Sequence, residues 1–243
     1  ASYEINDWLQ AKGSVGYGFK APDFRQLFFN FNNVAGGYQV IGLQTIHELY
    51  GDNPNVSVLP KDLKPENSVG TNIGFTIQPD TNFSISINAF RNDIRDLINT
   101  VVLQGGIEEL GNVNVFTYEN RDEVFTQGIE LDLNYKISDA LRFIGGYQYL
   151  EAKDKEELNK IKFGTVFIRN KNLQQVRISE SNYFGLANRS KHTANAKLFY
   201  TNNEHQFTAN LRALYRSKYA LFDTNNSGNI IDEFDSFVAG NVQ

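Results

Sequence analysis

Three segments of the chain alternate apolar and polar residues. They cover residues 9–19, 69–77 and 129–137, and, apart from Thr71, the apolar residues are odd-numbered and the polar residues are even-numbered. A period of two residues is that of a β-strand, and about ten residues tilted by about 45° cross a bilayer. We therefore expect each segment to be a strand with lipid on its odd-numbered face and water on its even-numbered face.

The composition is compatible with a membrane wall of this kind. Mean hydropathy is only -0.41, yet the chain holds 12 Tyr and 19 Phe. A β-barrel turns every second residue toward its lumen, so low mean hydropathy does not exclude a spanning protein. The mild net charge of -5 and the lack of a basic tract argue against a nucleic-acid partner. Because there is no cysteine, disulfides, thiolate metal sites and cysteine nucleophiles are excluded.

Short turns alternate with long connections along the chain. The long connections cover roughly residues 20–66, 92–126, 152–190 and 217–234, whereas short turns rich in Asn, Asp, Ser or Pro follow residues 77, 137 and 200. Outer-membrane barrels have this asymmetry, with short periplasmic turns and long extracellular loops.

Aromatic residues lie near both ends of the expected strands, where interfacial girdles belong. Near the short turns are Trp8, Phe83, Tyr135, Tyr200 and Phe207, and at the far ends are Tyr17, Phe19, Tyr147, Tyr149 and Tyr215. A soluble β-sandwich also alternates, but its strands are shorter and nothing confines its aromatic residues to strand ends. The sequence therefore predicts an all-β chain, a transmembrane antiparallel β-barrel.

About eight strands can be counted. An eight-stranded barrel can close by itself, but the chain begins at Ala1 without an initiator or a signal peptide, and residues 237–239 resemble the opening of another strand. We expect residues 1–243 to be one part of a larger receptor barrel, with about 22 strands in all. The final strands would then lie outside this chain.

Several motifs resemble, in order and spacing, those of the barrel of TonB-dependent outer-membrane receptors. They are residues 16–22 with Phe24, Leu27 and Phe28; residues 53–56; residues 63–66 with 72–75; residues 90–98; and Asn120 with residues 127–131. Lys20 replaces the usual arginine of the first motif, which keeps the charge but loses the planar fork. Glu130 and Asp132, in the last motif, fall on the expected lumen face, where they would hydrogen-bond the contents of the lumen.

The resemblance implies active uptake of a scarce nutrient chelate, namely a ferric siderophore, haem or cobalamin, through the outer membrane of a Gram-negative bacterium. It also implies an N-terminal plug domain, absent here, through which the receptor meets the TonB complex. The other implied partners are the small metal-chelate ligand and outer-membrane lipid. We expect no enzyme activity, no catalytic residue, no cofactor and no resident metal. The alternatives are a passive porin and an outer-membrane enzyme barrel, which a plug domain upstream would exclude.

The expected ligand contacts lie in the first long connection. They are Phe28, Phe29, Phe31, Tyr38, His47 and Tyr50. Aromatic rings stack on flat chelates, and His47 lies between two motifs as in haem receptors of the family, where an imidazole can take an axial position on iron. The alternative is a loop histidine that binds nothing. His192 precedes a strand, where a structural role is expected.

A second candidate lies in the last long connection. Residues 223–230 resemble a calcium loop, but Phe234 stands where an EF-hand has its bidentate glutamate. An EF-hand is therefore excluded. Two alternatives are left: an ion held by Asp223 and Asp232, or a plain polar hairpin tip.

Overall fold

The computed structural model describes residues 1–33, 35–52, 60–103, 114–169, 174–186, 188–220, 233–234 and 237–242. The motif at residues 53–56 and the calcium-like loop with Asp223 and Asp232 lie outside the described residues.

Antiparallel strands dominate the described part of the chain, as the alternation predicts. In chain order the strands are β1 Ser2–Asn6, β2 Leu9–Lys20, β3 Asn30–Asn33, β4 Tyr38–Ile41, β5 Glu66–Ile77, β6 Phe83–Val102, β7 Asn114–Lys136, β8 Leu141–Asp154, β9 Phe167–Arg169, β10 Gln175–Arg177, β11 His192–Asn202, β12 Phe207–Arg216, β13 Tyr219–Ala220, β14 Glu233–Phe234 and β15 Phe237–Val242. One sheet follows the order β1-β2-β5-β6-β7-β8-β11-β12-β15. The fold class predicted from the sequence is confirmed.

Side-chain contacts between neighbouring strands join residues of one face. Between β6 and β7, Phe83 packs edge-on against Tyr135 with ring centroids 5.8 Å apart, and Asn88 donates to Glu130 over 3.5 Å. Both pairs fit one register, so the apolar residues share one face and the polar residues share the other. Glu130 also accepts a hydrogen bond from Gln148 of β8 over 2.8 Å, which extends the polar face to the next strand.

The prediction of a long connection at residues 92–126 is wrong. β6 continues to Val102 and β7 begins at Asn114, so most of this range is paired strand. Beyond a bilayer the backbone ladder can continue with polar side chains on both faces, so the hydropathy signal ends before the strand does.

Three short α-helices lie in the connections: α1 Phe24–Phe28, α2 Leu43–Tyr50 and α3 Lys155–Phe163. Asp23 begins α1 with a capping box to Gln26, and Asp154 caps α3 by accepting from the backbone of Glu156 and Glu157. None of the described helices is long and apolar enough to cross a membrane.

The chain divides into two compact units, one of residues 1–16, 69–93 and 125–243 and the other of residues 17–68 and 94–124. The second unit has its own core, formed by Ile41, Leu43, Ile46, Leu103 and Val115. The first unit holds a smaller core beneath α3, formed by Ile161, Val166, Ile178 and Tyr183.

Candidate functional site

Asn120 connects two of the family-like motifs within the second unit. Its side-chain oxygen accepts from the backbone nitrogen of Lys64 over 2.7 Å, and its side-chain nitrogen donates to the carbonyl oxygens of Lys64 and Asp96 over 2.9 and 2.6 Å. Asp96 has a positive φ of 55°, a conformation that aspartate tolerates better than most residues. Asn120 therefore connects the segment that enters β5 with the positive-φ residue inside β6.

Glu66 makes a second connection beside it. Its carboxylate oxygen Oε1 accepts from the ammonium of Lys20 over 3.0 Å and from the backbone nitrogen of Ile98 over 3.2 Å. The lysine that replaces the usual arginine thus still pairs with the glutamate of the motif at residues 63–66, through one hydrogen bond rather than a bidentate fork. Four motifs that are distant in sequence meet at these two side chains.

An aromatic row runs across the first connection of the same unit. We define it as Phe29, Phe31, Tyr38 and Phe116. Phe29 stacks on Phe31 with centroids 6.0 Å apart, Phe31 contacts Tyr38 at 6.5 Å, and Tyr38 meets the edge of Phe116 at 6.0 Å. Phe31 is 43% exposed, so part of the row is open to solvent.

Phe116 was missed in the sequence because it lies on a strand far along the chain from the other rings. The parallel pairing of β4 with β7 places Val40 beside Phe116, which brings that strand next to Tyr38. The only sequence signal for Phe116 was that it is an aromatic residue outside the segments expected to face lipid.

Gly42 holds the helices beside the row in close contact. Its backbone nitrogen donates to the carbonyl oxygen of Phe29 over 2.6 Å. A Cβ at Gly42 would stand 2.5 Å from the carbonyl carbon of Leu27 and 2.6 Å from the backbone nitrogen of Phe28. The absence of a side chain at this position therefore lets α1 and the start of α2 pack backbone to backbone.

His47 lies on α2 with both ring nitrogens engaged. Nε2 is 2.8 Å from the carbonyl oxygen of Pro60, to which it can only donate, and Nδ1 is 3.6 Å from a carboxylate oxygen of Asp62. The ring is 29% exposed. Axial coordination of iron through Nε2 would require this histidine to leave Pro60.

The other two predicted ligand residues are Tyr50 and Phe28. Tyr50, at the end of α2, packs on the core of the unit. Phe28 pairs with Phe24 at a centroid distance of 5.4 Å and is 46% exposed. Across the described ranges, no group of three or more His, Cys, Asp or Glu side chains is placed to hold a metal ion.

His192 belongs to the first unit and packs between two aromatic side chains of the apolar face. Its Nδ1 is 2.8 Å from the hydroxyl of Tyr147, and its ring centroid is 5.3 Å from that of Tyr149. This arrangement fits the structural role expected for it.

Comparison with known proteins gives consistent matches. The profile of the family described as TonB dependent receptor-like, beta-barrel matches residues 1–241. An iron-regulated outer membrane virulence protein of Vibrio cholerae is 28% identical over 158 residues, which are 63% of this chain and 22% of that protein. A hemoglobin and hemoglobin-haptoglobin-binding protein of Haemophilus influenzae is 27% identical over 156 residues, 61% of this chain and 13% of that protein.

A solved structure shows the same fold. The ferric enterobactin receptor of Pseudomonas aeruginosa superposes with a TM-score of 0.62 at 15% identity, over 99% of this chain and 31% of that one. The chain thus spans about a fifth or less of the length of the curated relatives given above.

Proposed function

The chain belongs to the family of TonB-dependent receptor β-barrels, and we propose that it forms part of a receptor that captures an iron chelate bearing flat aromatic groups. Its place is the outer membrane of a Gram-negative bacterium. Active uptake, coupling to TonB through a plug domain, and further barrel strands outside residues 1–243 are parts of this proposal.

The aromatic row carries the proposal. Each of the four rings contacts the next, and Phe31 is exposed. They offer faces and edges on which the planar rings of a chelate can stack. A passive pore does not need such a row, because its lumen is filled with water and its solutes cross without binding. The family is one of receptors and transporters rather than enzymes, which supports a binding function.

The chemistry of these rings favours one class of ligand. A ferric catecholate siderophore brings aromatic rings and needs no protein ligand for its iron. The receptor of similar fold has been solved in complex with enterobactin, and that finding concerns that protein. A ferric chelate of this class is therefore our first candidate.

Haem is the second candidate, favoured by His47. One relative is named for binding hemoglobin, and an imidazole in an outer connection can serve as an axial donor. In the present arrangement His47 donates to Pro60. Haem binding through this residue therefore predicts that α2 or the segment at Pro60 shifts on binding.

Titration of the full-length receptor with a ferric catecholate and with haem tests both candidates. Tyr38→Ala and Phe116→Ala should weaken binding of the favoured ligand about threefold to tenfold per ring. Tyr200→Ala is the matched control, because Tyr200 pairs with Phe207 at a short turn of the first unit. His47→Ala should abolish the haem absorbance shift only if haem is the ligand. Unchanged affinity of both ring variants for both ligands would refute the proposed site.

A further inference from the structure

Three cations and one aromatic ring lie next to one another on the polar face of the first unit. We call this group the basic cluster, and it consists of Arg142 on β8, Lys197 and Phe199 on β11, and Arg212 on β12. Phe199 breaks the alternation of its strand, because the next residue, Tyr200, is aromatic as well. One of these two rings must therefore lie among polar side chains.

The pairing of the strands places the four side chains on one face. Arg142 lies directly opposite Phe199, and Lys197 lies directly opposite Arg212. Directly opposite side chains of an antiparallel pair share a face, with Cβ atoms about 5 Å apart. Lys197 and Phe199 are two residues apart on β11, so they share that face as well. It is the polar face, because Nε of Arg142 donates to the side-chain oxygen of Asn134 over 2.9 Å.

None of the three cations has a carboxylate partner within the described ranges. Arg142 bonds the neutral amide of Asn134, whereas Lys197 and Arg212 make no hydrogen bond or ion pair with a described residue. Like charges directly opposite each other destabilise a pair of strands. An anion bound between Lys197 and Arg212 would remove this repulsion, so the arrangement favours an anionic ligand.

The ring and the charges together indicate the chemistry of that ligand. Phe199 is 36% exposed, and both arginines are exposed. Guanidinium and ammonium groups donate charge-assisted hydrogen bonds to anionic oxygens, and the ring of Phe199 offers a face on which a planar ring can stack. A ferric tris-catecholate has both features, because three dianionic aromatic catecholates surround its iron(III) and leave it a trianion.

The basic cluster lies at the end of the wall where the short turns are. Ser138 and Leu141 exchange backbone hydrogen bonds across a tight turn, and Arg142 follows directly. β11 ends at Asn202, three residues after Phe199. In outer-membrane barrels the short turns are periplasmic and the polar face lines the interior. A ligand that moves inward through such a barrel meets this end of the wall last.

We propose that the basic cluster is an interior binding site for the ferric catecholate, which rests on the proposed function. Arg142, Lys197 and Arg212 bind the anionic oxygens of the chelate, and Phe199 stacks on one of its rings. The chelate occupies this site after its capture, as it passes toward the periplasm. The site therefore acts on the rate of uptake and not on the affinity of capture at the cell surface.

Two measurements on cells that carry the full-length receptor test the site: uptake of a radioactive ferric catecholate, and binding of the same chelate after the proton gradient has been dissipated. Lys197→Gln with Arg212→Gln should lower the uptake rate about fivefold or more, because two charge-assisted contacts are lost, and should leave the binding affinity unchanged. Lys197→Arg with Arg212→Lys keeps both charges and should retain uptake.

Lys136→Gln is the matched control. Lys136 lies on the polar face near the same turns, but its ammonium is already paired with Asp139. This variant should take up the chelate as the wild type does. A loss of uptake in the control equal to that of the double Gln variant would show that the effect is not specific to the basic cluster and would overturn the proposal.

Thermal unfolding of the purified full-length receptor separates a ligand site from a structural role. Lys197→Gln should raise the unfolding midpoint, because it removes the repulsion from Arg212. If the cations instead held an acidic segment of a plug domain, the same variant would unfold at a lower temperature. A lower midpoint, or wild-type uptake by the double Gln variant, would overturn the interior site. Failure of the wild type to bind the chelate would instead refute the proposed function.

Discussion

The ring of Phe90 lies directly over Gly128 on the neighbouring strand. A Cβ at Gly128 would stand 3.0 Å from the ring and would overlap the backbone oxygen of Tyr149 on the other side. The two residues come from two of the family-like motifs, and their contact gives a physical reason for both. The glycine leaves the space that the aromatic ring fills between β6 and β8.

Gly128→Ala should therefore destabilise the wall by about 1 to 3 kcal/mol, because the added methyl group has no room against a backbone atom. Gly16→Ala is the control, since nothing lies within 4 Å of a Cβ built there. The measurement is the denaturant midpoint of the full-length receptor in lipid. Equal midpoints for the two variants would contradict the packing described for Phe90.

Leu131→Arg should cost about 2 to 4 kcal/mol, because it places a charge on the lipid-facing side at mid-bilayer. Asn134→Arg, three residues later on the polar face of β7, should cost far less because that face is wet, although it removes the acceptor to which Arg142 donates over 2.9 Å. Folding free energies in lipid vesicles give the comparison. A greater loss in the Asn134 variant would reverse the assignment of the two faces.

Asn120→Ala removes three hydrogen bonds to the backbone of Lys64 and Asp96. We expect a loss of about 1 to 3 kcal/mol, seen as faster hydrogen exchange at residues 60–66 and 94–98. Asn99→Ala is the control, because the Asn99 side chain bonds the carbonyl of its neighbour Thr100. Exchange rates that match in the two variants would show that Asn120 does not fix these segments.

Lys160 stabilises α3 through two glutamates. Hydrogen bonds to Glu156 and Glu157, each 2.8 Å long, raise the pKa of Lys160. The stabilisation that accompanies a raised lysine pKa is fully present at every pH below the ordinary lysine pKa. It is lost only as the pH rises through the raised pKa. Protection of α3 against hydrogen exchange should thus stay constant from neutral pH to about pH 9.

Lys160→Met should remove that protection across the same range, because the Glu157 side chain, only 8% exposed, then lacks its cation. Lys162→Met, at an exposed position of the same helix, should leave it unchanged. A loss of protection in the wild type on moving from pH 7 to pH 9 would contradict the direction of the pKa shift.

The strands were predictable because a bilayer imposes a strict rule on them. Residues 69–77 and 129–137 alternate since lipid contacts every second side chain; the first range lies within β5, and all of the second but its last residue lies within β7. The outer parts of β6 and β7 have no such constraint. Their polar side chains resemble a loop in sequence, although the backbone stays paired.

The candidate site was predictable in part. Phe29, Phe31 and Tyr38 were expected from their density in one connection, and their rings meet. Phe116 joins them only through the pairing of β4 with β7, which depends on contacts distant in sequence. The hydrogen bond from His47 to Pro60 likewise depends on how α2 packs, and no local pattern indicates it.

Uptake of radioactive iron by cells that carry or lack the full-length receptor tests the central claim most directly. With a ferric catecholate supplied at limiting concentration, we expect uptake that requires the receptor, stops when the proton gradient is dissipated, and falls in the Tyr38→Ala, Phe116→Ala double variant. Uptake that continues without the gradient, and is unchanged in the double variant, would indicate a passive pore and contradict the account.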